Sequence, residues 1–129
     1  MKKISEVFVI LDDSPGSFGN LTRILKKKGI SIHAVGLFID TARLHVNEPA
    51  TALEAILENG YQAELRDVLR IDLPNKPGAI MSLTQKIGNA GINIINLYGA
   101  LADKQTSGIV IMEVDNTNLA LDIFRNDPI

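Results

Sequence analysis

The feature that most constrains this chain is an internal repeat. A Pro-Gly loop, Asp13–Gly16, opens an amphipathic segment that ends at Gly29–Ile32, and a second loop, Asn75–Gly78, opens one that ends at Gly91–Ile94. Equivalent positions of the two copies lie 62 residues apart at the proline, at the glycines and at a leucine within each segment. A repeat at this fixed spacing indicates that one structural unit occurs twice.

Each copy places a glycine-containing loop directly before a predicted helix. The first N–H groups of a helix have no acceptor within the helix, and the helix dipole favours negative charge at that end. A glycine there also lets a ligand approach the backbone closely. The repeated loop therefore indicates an anion-binding feature. The alternative is a plain turn, in which proline sets φ and glycine is merely permissive.

Composition excludes several classes of protein. The chain has 129 residues, no cysteine and a net charge of −2. Without cysteine it can form neither a disulfide framework nor a zinc–thiolate site, and its acidic balance does not fit a nucleic-acid surface. The apolar run near the N-terminus stops before Asp12 and is too short for a signal peptide or a membrane span. We therefore expect a cytoplasmic protein with no nucleic-acid or membrane partner.

Residues 1–66 predict the order β-α-β-β-α-β. Runs of apolar, β-branched residues predict strands, and helical spacing that ends at glycine predicts helices. The predicted strands are Val7–Leu11, Ile32–Ile39, Arg43–Val46 and Tyr61–Leu65, with one helix from Phe18 to Lys28 and a second from Pro49 to the Asn59–Gly60 stop.

Residues 67–129 repeat this order but end before a fourth strand. The predicted elements are the strand Val68–Leu73, a helix Ala79–Ala90 with Ile80, Leu83 and Ile87 on one face, the strand Asn93–Leu101, a loop Ala102–Ser107, the strand Gly108–Val114 and the helix Asn118–Arg125. The predicted fold class is α+β: two ferredoxin-like βαββαβ units in tandem, residues 1–66 and 67–129. Their antiparallel sheets carry helices on one face, and the second unit lacks its own last strand. Several strands are apolar on both faces, which predicts a homodimer that buries the face opposite the helices.

The short link between Leu65 and Val68 leaves two arrangements open. A tight turn at Arg66–Asp67 would place Tyr61–Leu65 beside Val68–Leu73, so that the second unit borrows a strand from the first. A bend there would keep each strand in its own unit. Outer edges several strand widths apart, at about 4.8 Å each, cannot be spanned by two residues, which favours the borrowed strand. Either arrangement predicts seven strands.

With these residues in view, the chain resembles the ACT-domain family, and most of all the small stand-alone proteins made of two tandem ACT units. The resemblance rests on the motif "apolar strand, D/N-x-P-G, helix, G-I-x-I", which occurs twice, and it covers the chain from Val7 to Phe124. It implies a regulatory module that binds an amino acid at the seam between two units. One unit supplies the loop before its first helix, and the other supplies the polar residue just after that helix.

Carried onto this chain, the resemblance implies that Asp13 faces Asn93 and that Asn75 faces Ser31. The chemistry agrees, because the N–H groups of the loops suit a carboxylate and the oxygens of Asp13, Asn75 or Asn93 suit an ammonium group. The candidate ligand-binding residues are Asp13, Ser14, Gly16, Ser17, Phe18, Ser31, Ile32, Asn75, Lys76, Gly78, Ala79, Ile80, Asn93 and Ile94.

The predicted function is a non-catalytic, allosteric sensor of a small amino acid, whose state is read by a metabolic enzyme or a regulator. The alternative is a structural or assembly module, a regulatory subunit that has lost its ligand. The chain has no cysteine nucleophile, no Gly-x-Ser-x-Gly elbow and no Walker loop, so we expect it not to be an enzyme and to need no cofactor.

The lysine cluster and the two histidines of the chain can be explained without a ligand. Lys26–Lys28 closes the first predicted helix, where cations complement the dipole, so we interpret it as a solvated helix end. His33 and His45 fall on neighbouring predicted strands and are expected to come close across the hairpin. Two histidines without a carboxylate between them are typical of a surface rather than of a metal site.

Overall fold

The computed structural model describes residues 1–100 and 106–128. Within them the chain forms six strands and four helices, in the order β1 (Lys2–Ile10), α1 (Ser17–Lys27), β2 (Ile32–Leu37), β3 (Thr41–Val46), α2 (Pro49–Glu58), β4 (Ala63–Pro74), α3 (Ala79–Asn89), β5 (Ile94–Ala100), β6 (Ser107–Val114) and α4 (Thr117–Asn126). The chain divides into two compact units. The N-terminal unit is Ser5–Arg66, and the C-terminal unit combines Met1–Ile4 with the chain from Asp67 onward.

The N-terminal unit is a four-stranded sheet in the order β2-β3-β1-β4. Strand β3 pairs antiparallel with both β1 and β2, with Leu44 opposite Val7 and Val35. Alternate residues of the strands point toward the helices, so that each strand contributes one face to the core. This core contains Val7, Val9, Leu11, Leu21, Leu25, Ile30, Ala42, Leu44, Val46, Ala52 and Ile56.

The C-terminal unit has the corresponding strand order, β1-β4-β6-β5. Strand β6 pairs antiparallel with β4 and β5, and Met112 lies opposite both Leu69 and Leu97. The residues of β1 that belong to this unit, up to Ile4, lie beside β4 and supply the fourth strand that residues 67–129 lack. The core contains Leu69, Ile71, Leu73, Ala79, Leu83, Ile87, Ile92, Val110, Met112, Val114, Ala120 and Phe124. The prediction of two ferredoxin-like units in an α+β fold is confirmed.

The prediction of a borrowed strand is wrong. The N–H group of Ile10 donates to the carbonyl of Gln62 at 2.9 Å, which places the segment before β4 beside β1 of its own unit. The predicted turn at Arg66–Asp67 does not exist, because β4 runs unbroken from Ala63 to Pro74. The described residues therefore contain six strands instead of the seven predicted.

Other element boundaries also differ. Strand β1 begins at Lys2 rather than at Val7, and β2 ends at Leu37 rather than at Ile39. Strand β5 is described to Ala100. Leu101 and residues 102–105 of the predicted loop lie outside the described residues. Ser107, expected to be loop, begins β6.

The buried stripe of α3 differs by one position from the predicted one. Ala79, Leu83 and Ile87 are buried at a spacing of four residues, whereas Ile80 is 42% exposed. Ala79 belongs to the core of the C-terminal unit, and the next residue of a helix points to a different side. As a result, Ile80 lies outside the core on the first turn of the helix.

The two copies differ in the length of their β-hairpins. Ile32 and Ile94, which begin β2 and β5, are 62 positions apart, whereas Val46 and Val114, which end β3 and β6, are 68 positions apart. The second hairpin is therefore six residues longer than the first. Equivalences downstream of the hairpins follow the larger spacing.

The sheet face of the N-terminal unit that points away from its core carries charge. Glu6 and Arg43 form a buried ion pair with 3.0 Å between Oε1 and Nη1. The Arg66 guanidinium lies 3.6 Å from the centre of the Phe8 ring, a cation–π contact. This face is more polar than the strand pattern predicted, and the homodimer stays a prediction.

Candidate functional site

The two Pro-Gly loops have nearly the same backbone conformation. Gly16 has φ 84° and ψ −7°, and Gly78 has φ 86° and ψ −6°. Both glycines stand directly before a helix in the left-handed region, which residues with a Cβ rarely adopt. Because this left-handed conformation occurs at both glycines, it is a property of the repeated loop.

Neither helix that follows a Pro-Gly loop has a side-chain cap at its N-terminus. By contrast, α4 is capped by Asn116, whose side chain accepts from the N–H group of Leu119 at 3.1 Å. In α1 the N–H groups of Phe18 and Gly19 have no acceptor inside the helix, because the residues four positions earlier precede it. The same holds for Ile80 and Met81 in α3. These N–H groups can therefore serve an anion.

The loops are tied down by backbone hydrogen bonds at equivalent positions. Ser17 N–H donates to the Ser14 carbonyl at 3.2 Å, and Ala79 N–H donates to the Lys76 carbonyl at 3.3 Å. The Ser17 hydroxyl donates to the Asp12 carbonyl at 2.6 Å. Four of the predicted site residues, Ser14, Ser17, Lys76 and Ala79, thus use these groups to hold the loops in shape.

Each loop lines a cleft within its own unit. The first cleft has a volume of about 360 Å³ and is lined by Ile10, Leu11, Asp12, Ser14, Pro15, Ser17, Asn20, Asn59, Gly60, Tyr61 and Gln62. The second has a volume of about 490 Å³ and is lined by Pro74, Lys76, Pro77, Gly78, Ala79, Met81 and Ser82. Ligand pockets have similar volumes, about 300–1,000 Å³.

The remaining predicted loop residues have varied surroundings. Asp13 is exposed, and Phe18 packs against the core of the N-terminal unit. Asn75 donates its N–H group to the Thr106 carbonyl at 3.0 Å. Ile80 is exposed on the first turn of α3. None of these four lines the cleft of its own loop.

The polar residues that follow α1 and α3 are held by a reciprocal pair of hydrogen bonds. Ser31 N–H donates to Asn47 Oδ1 at 3.1 Å, and Asn47 N–H donates to the Ser31 carbonyl at 3.2 Å. Asn93 and Asp115 make the same exchange, at 3.0 and 3.1 Å. Asn47 and Asp115 are not among the residues predicted for the site. They are 68 positions apart, so only the larger spacing downstream of the hairpins aligns them.

Within one unit the loop and the post-helix residue lie at opposite ends of a helix. Helix α1 has 11 residues, which at 1.5 Å each separates Gly16 from Ser31 by about 16 Å. Helix α3 separates Gly78 from Asn93 in the same way. A single amino acid cannot touch both ends. The next residues, Ile32 and Ile94, begin β2 and β5, and Ile94 packs against the core.

The two histidines come close, as predicted, with 5.1 Å between ring centres. His45 is nevertheless buried, with 7% exposure, and is not the surface residue that was expected. Among residues 1–100 and 106–128 there is no group of three or more histidine or acidic side chains arranged to hold a metal ion. Over the same residues, no helix combines the length and the apolar character needed to cross a membrane.

Comparison with solved structures identifies the fold. A protein of Bacteroides thetaiotaomicron, BT0572, superposes with a TM-score of 0.86 at 21% identity, covering 96% of this chain and 88% of that one. The regulatory subunit of aspartate kinase from Thermus thermophilus, in its ligand-free form, gives 0.70 at 19% identity, covering 99% and 96%. The corresponding subunit from Thermus flavus gives 0.67 at 16% identity, covering 97% and 94%.

Comparison of sequences gives the family. No curated protein matches the chain. The sequence model described as "ACT domain pair" matches residues 35–127, which is well over half of the chain. This span contains the second Pro-Gly loop with its helix, the second hairpin and the reciprocal pair of Asn93 with Asp115. The chain belongs to the ACT-domain family as an ACT domain pair.

Proposed function

We infer that this protein is a non-catalytic regulatory protein that binds a small amino acid through its repeated loops. The observation that carries the proposal is the shared geometry at Gly16 and Gly78. Each glycine starts a helix whose N-terminus has no side-chain cap and adjoins a cleft. An arrangement kept in both copies is better explained by a shared ligand than by the needs of one turn.

The chemistry of the loops fits the two charged groups of an amino acid. The N–H groups at the helix start would receive the carboxylate, where the helix dipole adds to the attraction. The ammonium group would be received by a carboxylate or amide oxygen, for which Asp13, Asn75 and Asn93 are the candidates. The side-chain amide of Asn93 makes no hydrogen bond within the described part of the chain.

A complete site needs two units. Because a helix about 16 Å long separates the loop from the post-helix residue of the same unit, both can contact one amino acid only if they come from different units. The second unit would be the other half of this chain or part of a second copy. The separation of the two ends of each helix supports the predicted pairings of Asp13 with Asn93 and of Asn75 with Ser31.

A regulatory role has support from the comparisons. Chains of this fold serve as regulatory subunits of aspartate kinase in two Thermus species. We extend that role to this chain, with a metabolic enzyme or a regulator as the partner, a homodimer as the working form and the cytoplasm as its location.

Thermal unfolding in the presence of each of the twenty amino acids tests the proposal. A ligand at 100 times its dissociation constant adds about 2.7 kcal/mol to the free energy of unfolding. In a domain of this size, that raises the melting temperature by several degrees. If no amino acid stabilises the chain, the alternative of a structural or assembly module is favoured instead.

A matched pair of variants locates the site. Asparagine tolerates the left-handed region, so Gly78→Asn keeps the loop conformation and adds a side chain in front of the N–H groups. Gly91→Asn makes the same change at another left-handed glycine, at the far end of α3, where a Cβ also has open space. We expect calorimetry to show weakened binding in the first variant only. Equal affinities in both would rule out the second loop as the site.

A further inference from the structure

Helix α1 is strongly basic along one face. It contains Arg23, Lys26 and Lys27, is followed by Lys28 and has no acidic residue. A cleft of about 290 Å³ opens beside it, within the N-terminal unit. The cleft is lined by Asn20, Arg23, Ile24, Lys27, Lys28, Asn59 and Tyr61. Its lining therefore contains three cations and no carboxylate.

These cations are not neutralised by the surrounding protein. Across residues 1–100 and 106–128, no carboxylate oxygen lies within 4 Å of the charged groups of Arg23, Lys27 or Lys28. The whole chain has a net charge of −2, so a cleft whose charged lining residues are all cations is a local departure from its overall balance.

The second copy of the repeat shows that the fold does not require this charge. The positions equivalent to Arg23, Lys27 and Lys28 are Gln85, Asn89 and Ala90. Even so, α1 and α3 end alike, each in a left-handed glycine. The plain interpretation of a solvated helix end therefore does not account for the cluster.

Both helices end in a left-handed glycine, Gly29 with φ 69° and Gly91 with φ 77°. In each, the N–H group of the following residue reaches back five positions. Ile30 donates to the Leu25 carbonyl at 3.0 Å, and Ile92 donates to the Ile87 carbonyl at 3.3 Å. This glycine-containing end satisfies the last carbonyls of a helix without any cation.

The wall opposite the cations is polar and held in place. Asn59 donates from Nδ2 to the Ala55 carbonyl at 2.8 Å, and Tyr61 packs against the core of the N-terminal unit. Asn20 lies on α1 itself, on the same helix face as Arg23 and Lys27. An anion in the cleft would meet guanidinium and ammonium groups on one side and amide and phenol groups on the other, all of which can donate hydrogen bonds.

We propose that this basic cleft is a second ligand site, which binds a small polyanion bearing phosphate groups or several carboxylates. Its volume of about 290 Å³ is just below the range for small-molecule pockets, about 300–1,000 Å³, and suits a small ligand. A nucleic acid would need a basic stripe that continues beyond one helix face. The site is separate from the amino-acid loops in its chemistry, but Asn20, Asn59 and Tyr61 also line the first loop cleft.

Calorimetric titration of the full chain with sodium pyrophosphate, ATP and citrate tests this proposal. Acetate serves as the singly charged control. We expect at least one of the three polyanions to bind once per chain and acetate not to bind. Pyrophosphate and ATP without citrate would identify a phosphate site, whereas citrate alone would identify a carboxylate site. If none of the three binds, the proposal is overturned.

Two double variants with the same change in charge separate a site from general electrostatics. R23Q/K27Q removes two cations from the cleft, and K2Q/K3Q removes two exposed cations from β1. Loss of charged hydrogen bonds is expected to weaken polyanion binding at least about tenfold in the first variant. The second should stay within about twofold of the parent. Equal weakening in both variants would overturn the proposal, as would tight binding only of an RNA oligonucleotide or of phosphatidylserine vesicles.

Discussion

Nη1 of Arg43 lies 3.0 Å from Oε1 of Glu6, and the two side chains are 8% and 1% exposed. Arg43 is aligned with Phe8 in the pairing of β1 with β3, and Glu6 lies two residues away on the same face of β1. A buried ion pair gives little net stability, but removing one partner leaves the other charge buried without its compensation. The pair is therefore expected to be sensitive to single substitutions.

We expect Glu6→Ala to lower the free energy of unfolding by about 3–5 kcal/mol, because it deprives the buried Arg43 of this carboxylate. Asp122→Ala provides the control. It breaks the exposed pair with Arg125, whose Nη1 lies 2.9 Å from Oδ1, and should cost less than about 1 kcal/mol. Urea unfolding of both variants measures the difference. Similar losses would mean that burial of the Glu6 pair has no energetic consequence.

Two glycines of the first copy should respond to alanine with opposite signs. At Gly16, φ is 84°, so Gly16→Ala is expected to cost about 1–2 kcal/mol, although a Cβ there would meet no atom within 4 Å. Gly19 lies inside α1 with equal space, and Gly19→Ala should stabilise by about 0.5–1 kcal/mol. Thermal unfolding compares the two. A stabilising Gly16→Ala would contradict the left-handed conformation.

Hydrogen exchange can measure the protection given by the reciprocal hydrogen bonds at the start of β2 separately from that given by the bonds at the start of β5. Asn47→Ala removes the acceptor of the Ser31 N–H group, which lies 3.1 Å from Oδ1. We expect the Ser31 amide to exchange faster, and the free energy of unfolding to fall by about 1 kcal/mol. The Asn93 amide, held by Asp115, should keep its rate and serves as the internal reference. An unchanged Ser31 amide would show that this bond gives no protection.

Deleting residues 2–4 should weaken the C-terminal unit. These residues lie beside β4 as its fourth strand. Losing this strand pairing is expected to cost roughly 1 kcal/mol for each backbone hydrogen bond that it contains. Amides of β4 beyond Asp67 should then exchange faster. K2Q/K3Q keeps the backbone and alters only exposed side chains, so it should leave those amides protected. Protection that survives the deletion would mean that residues 2–4 are not needed as a strand.

The repeat made most of the fold predictable, because the two copies show the same pattern of strands and helices and each supports the assignment of the other. The failures arose where charge was mistaken for a chain reversal. Arg66–Asp67 was interpreted as a turn, but Arg66 is accommodated in a continuous strand by stacking on Phe8 and by hydrogen bonds to Glu64. The first strand was predicted to begin only at Val7, but β1 already includes Lys2 and Lys3, since exposed lysines are common on strands.

The candidate site was predictable only in its loops. Glycine before a helix is a local signal, and both loops have the conformation that this signal suggests. The opposite walls were not predictable, because Asn59 and Tyr61 reach the first cleft from a connection some forty residues downstream. No local pattern in the sequence encodes that proximity. The pairs Ser31–Asn47 and Asn93–Asp115 are equivalent in the two copies. A spacing of 62 residues does not align Asn47 with Asp115, because the second hairpin is longer.

The position of residues 2–4 has a consequence for how the chain folds. In sequence, the entire N-terminal unit, Ser5–Arg66, is inserted between them and the rest of the unit that they complete. If that insert were unfolded, pairing residues 2–4 with β4 would require closing a flexible loop of its full length, at an entropic cost of about 3–4 kcal/mol. Once the insert has folded, the contact of Ile10 with Gln62 already holds the two ends of the loop together. The folded insert therefore removes most of the entropic cost of this pairing. Because the insert lies within the sequence of the second unit, folding of the second unit is expected to depend on prior folding of the first.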